Sequence, residues 1–329
     1  MDKKERIVVI DLLKGFGILL MVVGHIGFSE KLNHYLYAFH MPLFFLLSGF
    51  VSKQVTGSFF AYVRKLARQL LIPFGFFGLA FGILFYVAAG STTLGHLGMN
   101  FLCPNVVPFD WCGAVWFLMS LFVVKVLFGA LQKWLPSRGF HAASVVVGMA
   151  GVAVSCLGIK LPLTLDTSLM AYAIYWMGYI SQGWISRNRE KIYRYRYGIL
   201  LVCLLLTPLV FLNAPVNMRE NRYGNFLLFF VNMISTLSLW AVVLHALSGL
   251  GWFRGIRKGL QFLCDHSIAY MVFNQFLMVP FIVLILRRLP MGPVYYVAQF
   301  AELVFVLLAA GIGSVVLKKW KFGILLGKR

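Results

Sequence analysis

The sequence predicts an all-α integral membrane protein, a polytopic bundle of about ten transmembrane helices in a single domain over residues 1–329. Three observations predict this class. Of the 329 residues 60% are hydrophobic and only 12% are charged, whereas a soluble domain carries about a quarter charged residues. Apolar runs long enough to cross a bilayer recur along the whole chain. Lysine and arginine residues lie between these runs and favour one side of the membrane.

Each predicted span is a mostly apolar run of roughly 20 residues, the length of helix that crosses the hydrocarbon core. Ten runs fit: 7–28, 36–54, 70–90, 113–132, 141–159, 167–185, 198–213, 225–248, 266–286 and 294–317. The connections are short except near 91–112 and 249–265. Since no segment is long and polar enough for a soluble domain, we expect one helix bundle to be the whole fold.

The basic residues predict the orientation of the bundle, because cytoplasmic loops carry the excess of lysine and arginine. Of the 30 such residues, 22 fall on the side that holds the N-terminus, 6 fall on the other side, and Lys14 and Lys125 lie within spans. The six are Lys31, Lys160, Arg219, Arg222, Arg287 and Arg288. We therefore expect both termini to be cytoplasmic and the basic first segment to be an uncleaved anchor. The net charge of +20 then favours contact with anionic lipid over nucleic-acid binding.

The connection 91–112 is predicted to lie outside the cytoplasm and contains no lysine or arginine. Its polar and aromatic residues fit two alternatives, a lid over an acceptor or a plain connector. Cys103 and Cys112 share this connection, so they either form a disulfide or remain as two free thiols. The five cysteines form no metal-ligand pattern, and His25 with His40 offers too few ligands for a metal site.

The first span carries the chemistry that the sequence predicts most directly. Asp11, Lys14 and His25 project from nearly the same face of a helix, with Lys14 and His25 roughly 16 Å apart along its axis. Ionisable groups inside a span are costly and mark functional sites. Alternatively, Lys14 pairs with Asp11 at the interface and His25 is a packing residue. With the N-terminus inside, Lys14 could hold a phosphate-bearing donor and a neutral His25 could accept a hydroxyl proton.

Further candidate residues follow the first span. Arg64 and Arg68 stand at i and i+4, and two guanidinium groups suit phosphate oxygens, although arginines there also satisfy the orientation rule. The run from Ala38 to Phe50 holds His40, Pro42 and the Ser48-Gly49 pair, which allows close helix approach.

In combination these residues resemble membrane acyltransferase family 3, and within it the fucose 4-O-acetylase-like branch. The resemblance rests on Ile10–Gly15, Val23–His25, Phe39–Phe50, the Arg64/Arg68 pair leading into Ile72-Pro73, and Trp116–Leu118. Weaker similarities follow at Leu161-Pro162, Leu165–Thr167, Tyr223–Asn225 and Ser267–Asn274. This sequence departs from the family pattern in having Lys14 in place of arginine, which keeps the charge but loses the bidentate fork. It also has Asn274 where many relatives have histidine.

The resemblance implies transfer of an acyl group, usually acetyl, from cytoplasmic acyl-CoA to a hydroxyl of a cell-envelope carbohydrate or glycolipid. The protein would then be a multi-pass protein of the bacterial cytoplasmic membrane. His25 and Asp11 would be catalytic, and Lys14, Arg64 and Arg68 would bind acetyl-CoA. The predicted acceptor-side residues are His40, Ser48, Trp116, Asn225 and Asn274. A transporter or flippase for a glycosylated or anionic lipid is the alternative, although two halves with paired broken spans are not evident.

Overall fold

A computed structural model describes residues 3–89, 94–320 and 322–327. Within these ranges the chain is helical, with short 3-10 segments and one π-helical segment. The described residues form no β-strand, and a single isolated β-bridge joins Asn217 and Arg222. The α-helices are α1 (Lys3–Ile26), α2 (Glu30–Tyr37), α3 (His40–Phe50), α4 (Phe59–Leu66), α5 (Ile72–Ala89), α6 (Leu94–Leu102), α7 (Trp116–Trp134), α8 (Ser137–Cys156), α9 (Leu165–Arg187), α10 (Arg189–Arg194), α11 (Arg196–Leu206), α12 (Phe226–Ser248), α13 (Arg254–Asp265), α14 (Ser267–Leu284) and α15 (Pro293–Lys319).

Seven helical stretches in the described part of the chain are long and apolar enough to cross a membrane. They are Val8–Ile26, Phe59–Ala88, Gly113–Trp134, Ser137–Cys156, Phe226–Ser248, Ser267–Arg288 and Pro293–Lys319. Each overlaps one of the predicted spans, so the prediction of an all-helical chain with several membrane-spanning helices is confirmed.

The other three predicted spans take different forms. Region 36–54 contains the last two residues of α2 and the 11-residue helix α3, and the backbone leaves the helical conformation between them at Phe39. Region 198–213 is α11 followed by a 3-10 segment from Thr207, where Pro208 removes a backbone donor. Region 167–185 lies in α9, which has 23 residues but is less apolar. Ten spans with both termini cytoplasmic therefore stay a prediction, and three of the cations that support it, Lys321, Lys328 and Arg329, lie outside the described residues.

Both long connections contain a helix that the sequence did not predict. The described part of the connection 91–112 holds α6, and the connection 249–265 holds α13. Cys103 and Cys112 both carry free thiols. Neither connection is therefore a plain loop in the part that the structure describes.

The chain falls into two compact units. Unit 1 comprises Met1–Lys53, Ala173–Met218 and Arg222–Asp265. Within it α1 packs against α2, α3, α12 and α13, because its apolar face, with Leu12, Ile18 and Val22 fully buried, needs partners. Glycines bring two further helices together. A Cβ on Gly49 of α3 would lie 1.9 Å from the Tyr175 carbonyl oxygen of α9, so the predicted close approach at this glycine is confirmed.

Unit 2 comprises Gln54–Tyr172, Arg219–Asn221 and His266–Arg329. Its core includes an aromatic cluster in which Phe77 and Phe81 of α5 meet Phe273 of α14 at ring-centroid distances of 5.3 and 6.1 Å. Helices α14 and α15 pack side by side, and the Tyr270 hydroxyl donates to the Leu307 carbonyl at 3.0 Å.

A buried polar network ties the loops of unit 2 together. The Asp166 carboxylate at the start of α9 is fully buried and accepts hydrogen bonds from Asn105 Nδ2 at 2.8 and 3.0 Å. Burial raises the pKa of Asp166, and these hydrogen bonds partly offset the shift. Leu163 and Thr164 beside it have left-handed backbone conformations, with φ of 56° and 58°. This left-handed backbone directly precedes the first turn of α9.

Candidate active site

Helix α1 of unit 1 carries Asp11, Lys14 and His25. The helix is unbroken over its 24 residues, so the periodicity of 3.6 residues per turn keeps the three side chains near one face. All three are half-buried, between the fully buried residues on the packed side and the surface. The predicted stripe of ionisable groups therefore exists as a geometric feature of this helix.

Helix α13 supplies the neighbours of Asp11. The Cys264 thiol donates to Asp11 Oδ1 at an S···O distance of 3.9 Å. Lys14 and Asp265 both interact electrostatically with Asp11, the first attractively and the second repulsively. The Asp11 carboxylate thus lies between Lys14 of its own helix and the Cys264 thiol of α13. These contacts fix the carboxylate, which could in turn orient Lys14.

Cys264 is a hydrogen-bond donor here rather than a nucleophile. Burial raises the pKa of its thiol to about 11, with Lys14 opposing the shift and the carboxylates of Asp11 and Asp265 adding to it. Because the reactive form of cysteine is the thiolate, this residue stays protonated at neutral pH. No signal in the sequence marked it, since its partner lies 253 positions away.

Gly15 explains how α13 approaches α1 so closely. A Cβ at this position would lie 1.9 Å from the Leu260 carbonyl oxygen, closer than real atoms come. Only glycine lets the two backbones meet here. The residue directly after Lys14 therefore sets the distance between α1 and α13.

His25 and His40 lie near enough to each other in unit 1 to interact electrostatically. His40 is buried at the start of α3, and its Nδ1 lies 2.8 Å from the Leu36 carbonyl oxygen. Because a carbonyl can only accept, Nδ1 carries the proton and a neutral ring presents Nε2 as acceptor. The Tyr37 ring meets His40 edge-on, with ring centroids 4.9 Å apart. This places a second imidazole beside the predicted catalytic one.

The remaining candidates of unit 1 are Ser48 and Asn225. Ser48 is half-buried on α3, next to the close contact at Gly49. Asn225 is exposed and caps α12, because its side chain accepts from the Leu228 amide at 3.1 Å. Its own amide donates to Asn213 Oδ1 at 2.7 Å. These contacts give Asn225 a structural role whether or not it also meets a substrate.

Arg64 and Arg68 of unit 2 are both exposed. Arg64 ends helix α4, whereas Arg68 lies in a π-helical segment, Ala67–Leu71, that joins α4 to α5. Such single π-turns often occur at functional sites. The sequence predicted an α-helical i, i+4 pair. The structure differs because Pro73 cannot donate to the Gln69 carbonyl and the backbone rearranges before it.

Trp116 and Asn274 are buried in unit 2. Trp116 begins α7 and is 4% exposed, so its ring packs in the interior of unit 2. The Asn274 amide donates to the carbonyls of Tyr270 and Met271, both at 2.7 Å. An asparagine that bonds its own helix in this way explains how a polar group is tolerated within a span.

Glu302 is a candidate that the sequence analysis missed. It lies in the span formed by α15, is 1% exposed, and neither carboxylate oxygen has a hydrogen-bond partner among the described residues. A carboxylate without a partner is expensive to bury, and intramembrane acids mark functional sites. The signal was present in the sequence as the single acidic residue within predicted span 294–317.

Comparison with known proteins decides the family. A sequence profile of the acyltransferase domain matches residues 7–319, nearly the whole chain. The chain belongs to acyltransferase family 3. The resemblance to this family stated from the sequence is thereby confirmed.

Two curated proteins similar to this chain are nodulation proteins NolL. The one from Sinorhizobium fredii is 26% identical over 232 residues, which cover 64% of this chain and 58% of the relative. The one from Mesorhizobium japonicum is 25% identical over 221 residues, which cover 61% of this chain and 55% of the relative. The chain thus spans less than two thirds of either protein. No solved structure matches it significantly.

Proposed function

We propose that this acyltransferase is an O-acetyltransferase, moving an acetyl group from cytoplasmic acetyl-CoA to a hydroxyl of a cell-envelope or exported carbohydrate. The observation that carries the proposal is the face of α1 with Asp11, Lys14 and His25, half-buried in a membrane-spanning helix. In a family of acyltransferases, an imidazole at such a place is the group best suited to take a proton from a hydroxyl.

His25 acts as the general base in this proposal. Its neutral ring removes the proton of the acceptor hydroxyl while the oxygen attacks the thioester carbonyl carbon. The C–S bond then breaks, an ester is formed, and the coenzyme A sulfur takes the proton from the imidazolium. The second possibility is that His25 first carries the acyl group itself. Asp11 orients Lys14, and the Cys264 hydrogen bond holds Asp11 in position.

Cations on the predicted cytoplasmic side bind the donor. Coenzyme A carries phosphate and diphosphate groups, which arginine and lysine recognise by charge and hydrogen bonds. Lys14 of unit 1 is one such group, and exposed Arg64 and Arg68 of unit 2 are the others. The π-turn at Arg68 supports a functional role for this segment.

His40, Ser48, Trp116, Asn225 and Asn274 are proposed to contribute to acceptor binding. Support is strongest for His40, because it lies close enough to His25 to interact with it. For Asn225 and Asn274 the hydrogen bonds within unit 1 and unit 2 account for much of their chemistry. We propose direct acceptor contact first at His40.

We also propose that the whole chain is one catalytic domain of ten spans in the bacterial cytoplasmic membrane, with both termini cytoplasmic. The distribution of lysine and arginine supports this orientation. Acetyl-CoA then arrives from the cytoplasm and the carbohydrate or glycolipid from the opposite side, with membrane lipids surrounding the bundle. Unlike a resident cofactor, acetyl-CoA is consumed in the reaction.

Purified full-length protein in liposomes with radiolabelled acetyl-CoA tests the function. Wild-type protein is expected to transfer label to a carbohydrate fraction of the envelope or, without acceptor, to hydrolyse the thioester. His25→Ala is expected to lower either rate at least a hundredfold, within the range that general-base catalysis contributes. His141→Ala on α8 is the matched control, because it removes a histidine outside the proposed site.

The same measurement separates transfer from transport. A transporter or flippase would move lipid without consuming acetyl-CoA. Neither the wild-type protein nor His25→Ala would then turn over acetyl-CoA. Absence of acetyl-CoA binding and turnover by wild-type protein, with glycolipid movement intact, would overturn the proposal. Equal loss of turnover in His25→Ala and His141→Ala would overturn the assignment of His25.

A further inference from the structure

Unit 2 contains a groove that is lined entirely by apolar side chains. Its volume is about 400 Å³, within the range of sites that hold small molecules. The lining residues are Leu84, Trp111, Phe276, Val279, Pro280, Val283 and Leu284. A sugar or a nucleotide would find no hydrogen-bond partner on these walls, so the part of a ligand that enters must be hydrocarbon.

The walls of the groove are ordered by aromatic contacts. The Trp111 ring lies 5.2 Å from Phe85 of α5 and 5.8 Å from Phe276 of α14, between ring centroids. Pro280 lies inside α14 and deprives the preceding turn of a backbone donor, which favours a kink at this level. The connection 91–112 thus contributes one wall of the groove through Trp111.

The groove opens sideways from the membrane-spanning helices. Leu84 is 43% exposed, Val283 44% and Leu284 60%, and all three lie in the spans Phe59–Ala88 and Ser267–Arg288. An opening at such a place leads to the lipid that surrounds the protein rather than to water.

Two arginines follow the groove directly. Arg287 and Arg288 are exposed in the 3-10 turn after α14, and Arg287 lies roughly 6 Å along the axis from Leu284 by the rise of such a turn. Neither forms an ion pair with a described residue. Both lie on the predicted outer side, which carries only six of the chain's cations, so the rule that places cations in the cytoplasm does not account for them.

We propose that this groove and arginine pair form a binding site for an anionic phospholipid of the surrounding bilayer. One acyl chain lies in the groove between Trp111 and Val283. The headgroup phosphate is bound by Arg287 and Arg288, whose guanidinium forks match phosphate oxygens. The two arginines favour an anionic lipid over a zwitterionic one, because the positively charged group of a zwitterionic headgroup would be repelled by them.

Native mass spectrometry of the full-length protein, released from nanodiscs of equimolar phosphatidylglycerol and phosphatidylcholine, tests the site. Wild-type protein is expected to retain one phosphatidylglycerol at least tenfold more often than phosphatidylcholine. The double variant Arg287→Ala/Arg288→Ala is expected to lose this preference. Val283→Trp, which fills the groove at an exposed position, is expected to lose the bound lipid while keeping both arginines.

The variant Arg187→Ala/Arg189→Ala is the matched control, because it removes two exposed arginines of unit 1, whereas the groove belongs to unit 2. It is expected to retain phosphatidylglycerol as wild type does. Equal retention of the two lipids by wild-type protein would overturn the proposal, and so would unchanged retention in the Arg287/Arg288 double variant. Preferential retention of a polyprenyl phosphate over phosphatidylglycerol, when both are supplied, would overturn the choice of a bilayer phospholipid. Elution and thermal unfolding of each variant as wild type establish that it is folded.

Discussion

At the scale of single residues, the hydrogen bond of His40 separates a structural from a chemical role. His40 donates from Nδ1 to the Leu36 carbonyl at 2.8 Å, and asparagine can present its amide nitrogen near the same place. We expect His40→Ala to destabilise the protein by about 0.5–1.5 kcal/mol, because the Leu36 carbonyl loses one donor and keeps the Phe39 amide at 3.2 Å. His40→Asn is expected to keep most of the stability yet raise KM for the acceptor, since it lacks Nε2.

Thermal unfolding in detergent and acetyl-transfer kinetics measure the two effects of the His40 variants. An unchanged KM in a well-folded His40→Asn protein would mean that Nε2 does not meet the acceptor. Equal stability of the two variants would contradict the role given to the Leu36 hydrogen bond.

Glu302 gives a second prediction at the same scale, because its buried carboxylate oxygens lack partners. Glu302→Gln removes an acidic group while keeping its shape. If the residue is kept for function, the variant is expected to unfold at the same or a higher temperature and to lose at least tenfold in kcat. Full activity in a stable Glu302→Gln protein would show that the carboxylate is dispensable. The matched control is Glu190→Gln on α10, which makes the same change at an exposed position.

At the scale of elements, the contact between α1 and α13 depends on one glycine. We expect Gly15→Ala to destabilise the protein by about 1–3 kcal/mol, the usual cost of overpacking, because its Cβ would overlap the Leu260 carbonyl. Activity should fall with it, since α13 also holds Asp11 through Cys264. Gly259→Ala in α13, where nothing lies within 4 Å of the added carbon, is the control and should gain up to about 1 kcal/mol.

Thermal unfolding of both glycine variants, followed by acetyl-CoA turnover, carries out this test. A Gly15→Ala protein as stable and active as wild type would show that α13 can move away without consequence.

The elements also show what the sequence can predict. Helix α1 was predicted because a long apolar run admits only one backbone form in a bilayer, and the stripe of Asp11, Lys14 and His25 follows from helical geometry alone. Helix α13 was missed because its apolar residues are few and separated by glycines and cations. Its position depends on the Leu260 carbonyl reaching Gly15, a contact between residues more than 240 positions apart, which no local pattern records.

Local bonds account for the other differences. The break between α2 and α3 at Phe39 interrupts an apolar run that reads as one span, and it brings His40 toward His25. The π-turn at Arg68 follows from Pro73. The sequence shows that this proline must disturb the preceding turn, but it does not show that the disturbed turn becomes π-helical. Asn225 and Asn274 stay predicted site residues, and the structure adds that helix capping and backbone bonding also use their side chains.

At the scale of the whole molecule, composition and charge act together. A chain with 60% hydrophobic residues and a net charge of +20 inserts as helices and carries its cations to the surfaces of the bilayer. The proposed chemistry uses this arrangement, because cations at the inner surface attract a polyphosphorylated thioester while the reacting imidazole lies deeper in the membrane. The same physical rule makes the two arginines beside the groove of unit 2 an exception that calls for a ligand.

Acetyl transfer by His25 is tested most directly by mass spectrometry of envelope carbohydrates from a deletion strain that carries either the wild-type gene or His25→Ala. We predict that the wild-type gene restores a mass increment of one acetyl group on a carbohydrate and that His25→Ala, expressed at the same level in the membrane, does not. Carbohydrates acetylated to the same extent in the deletion strain and with both genes would contradict it.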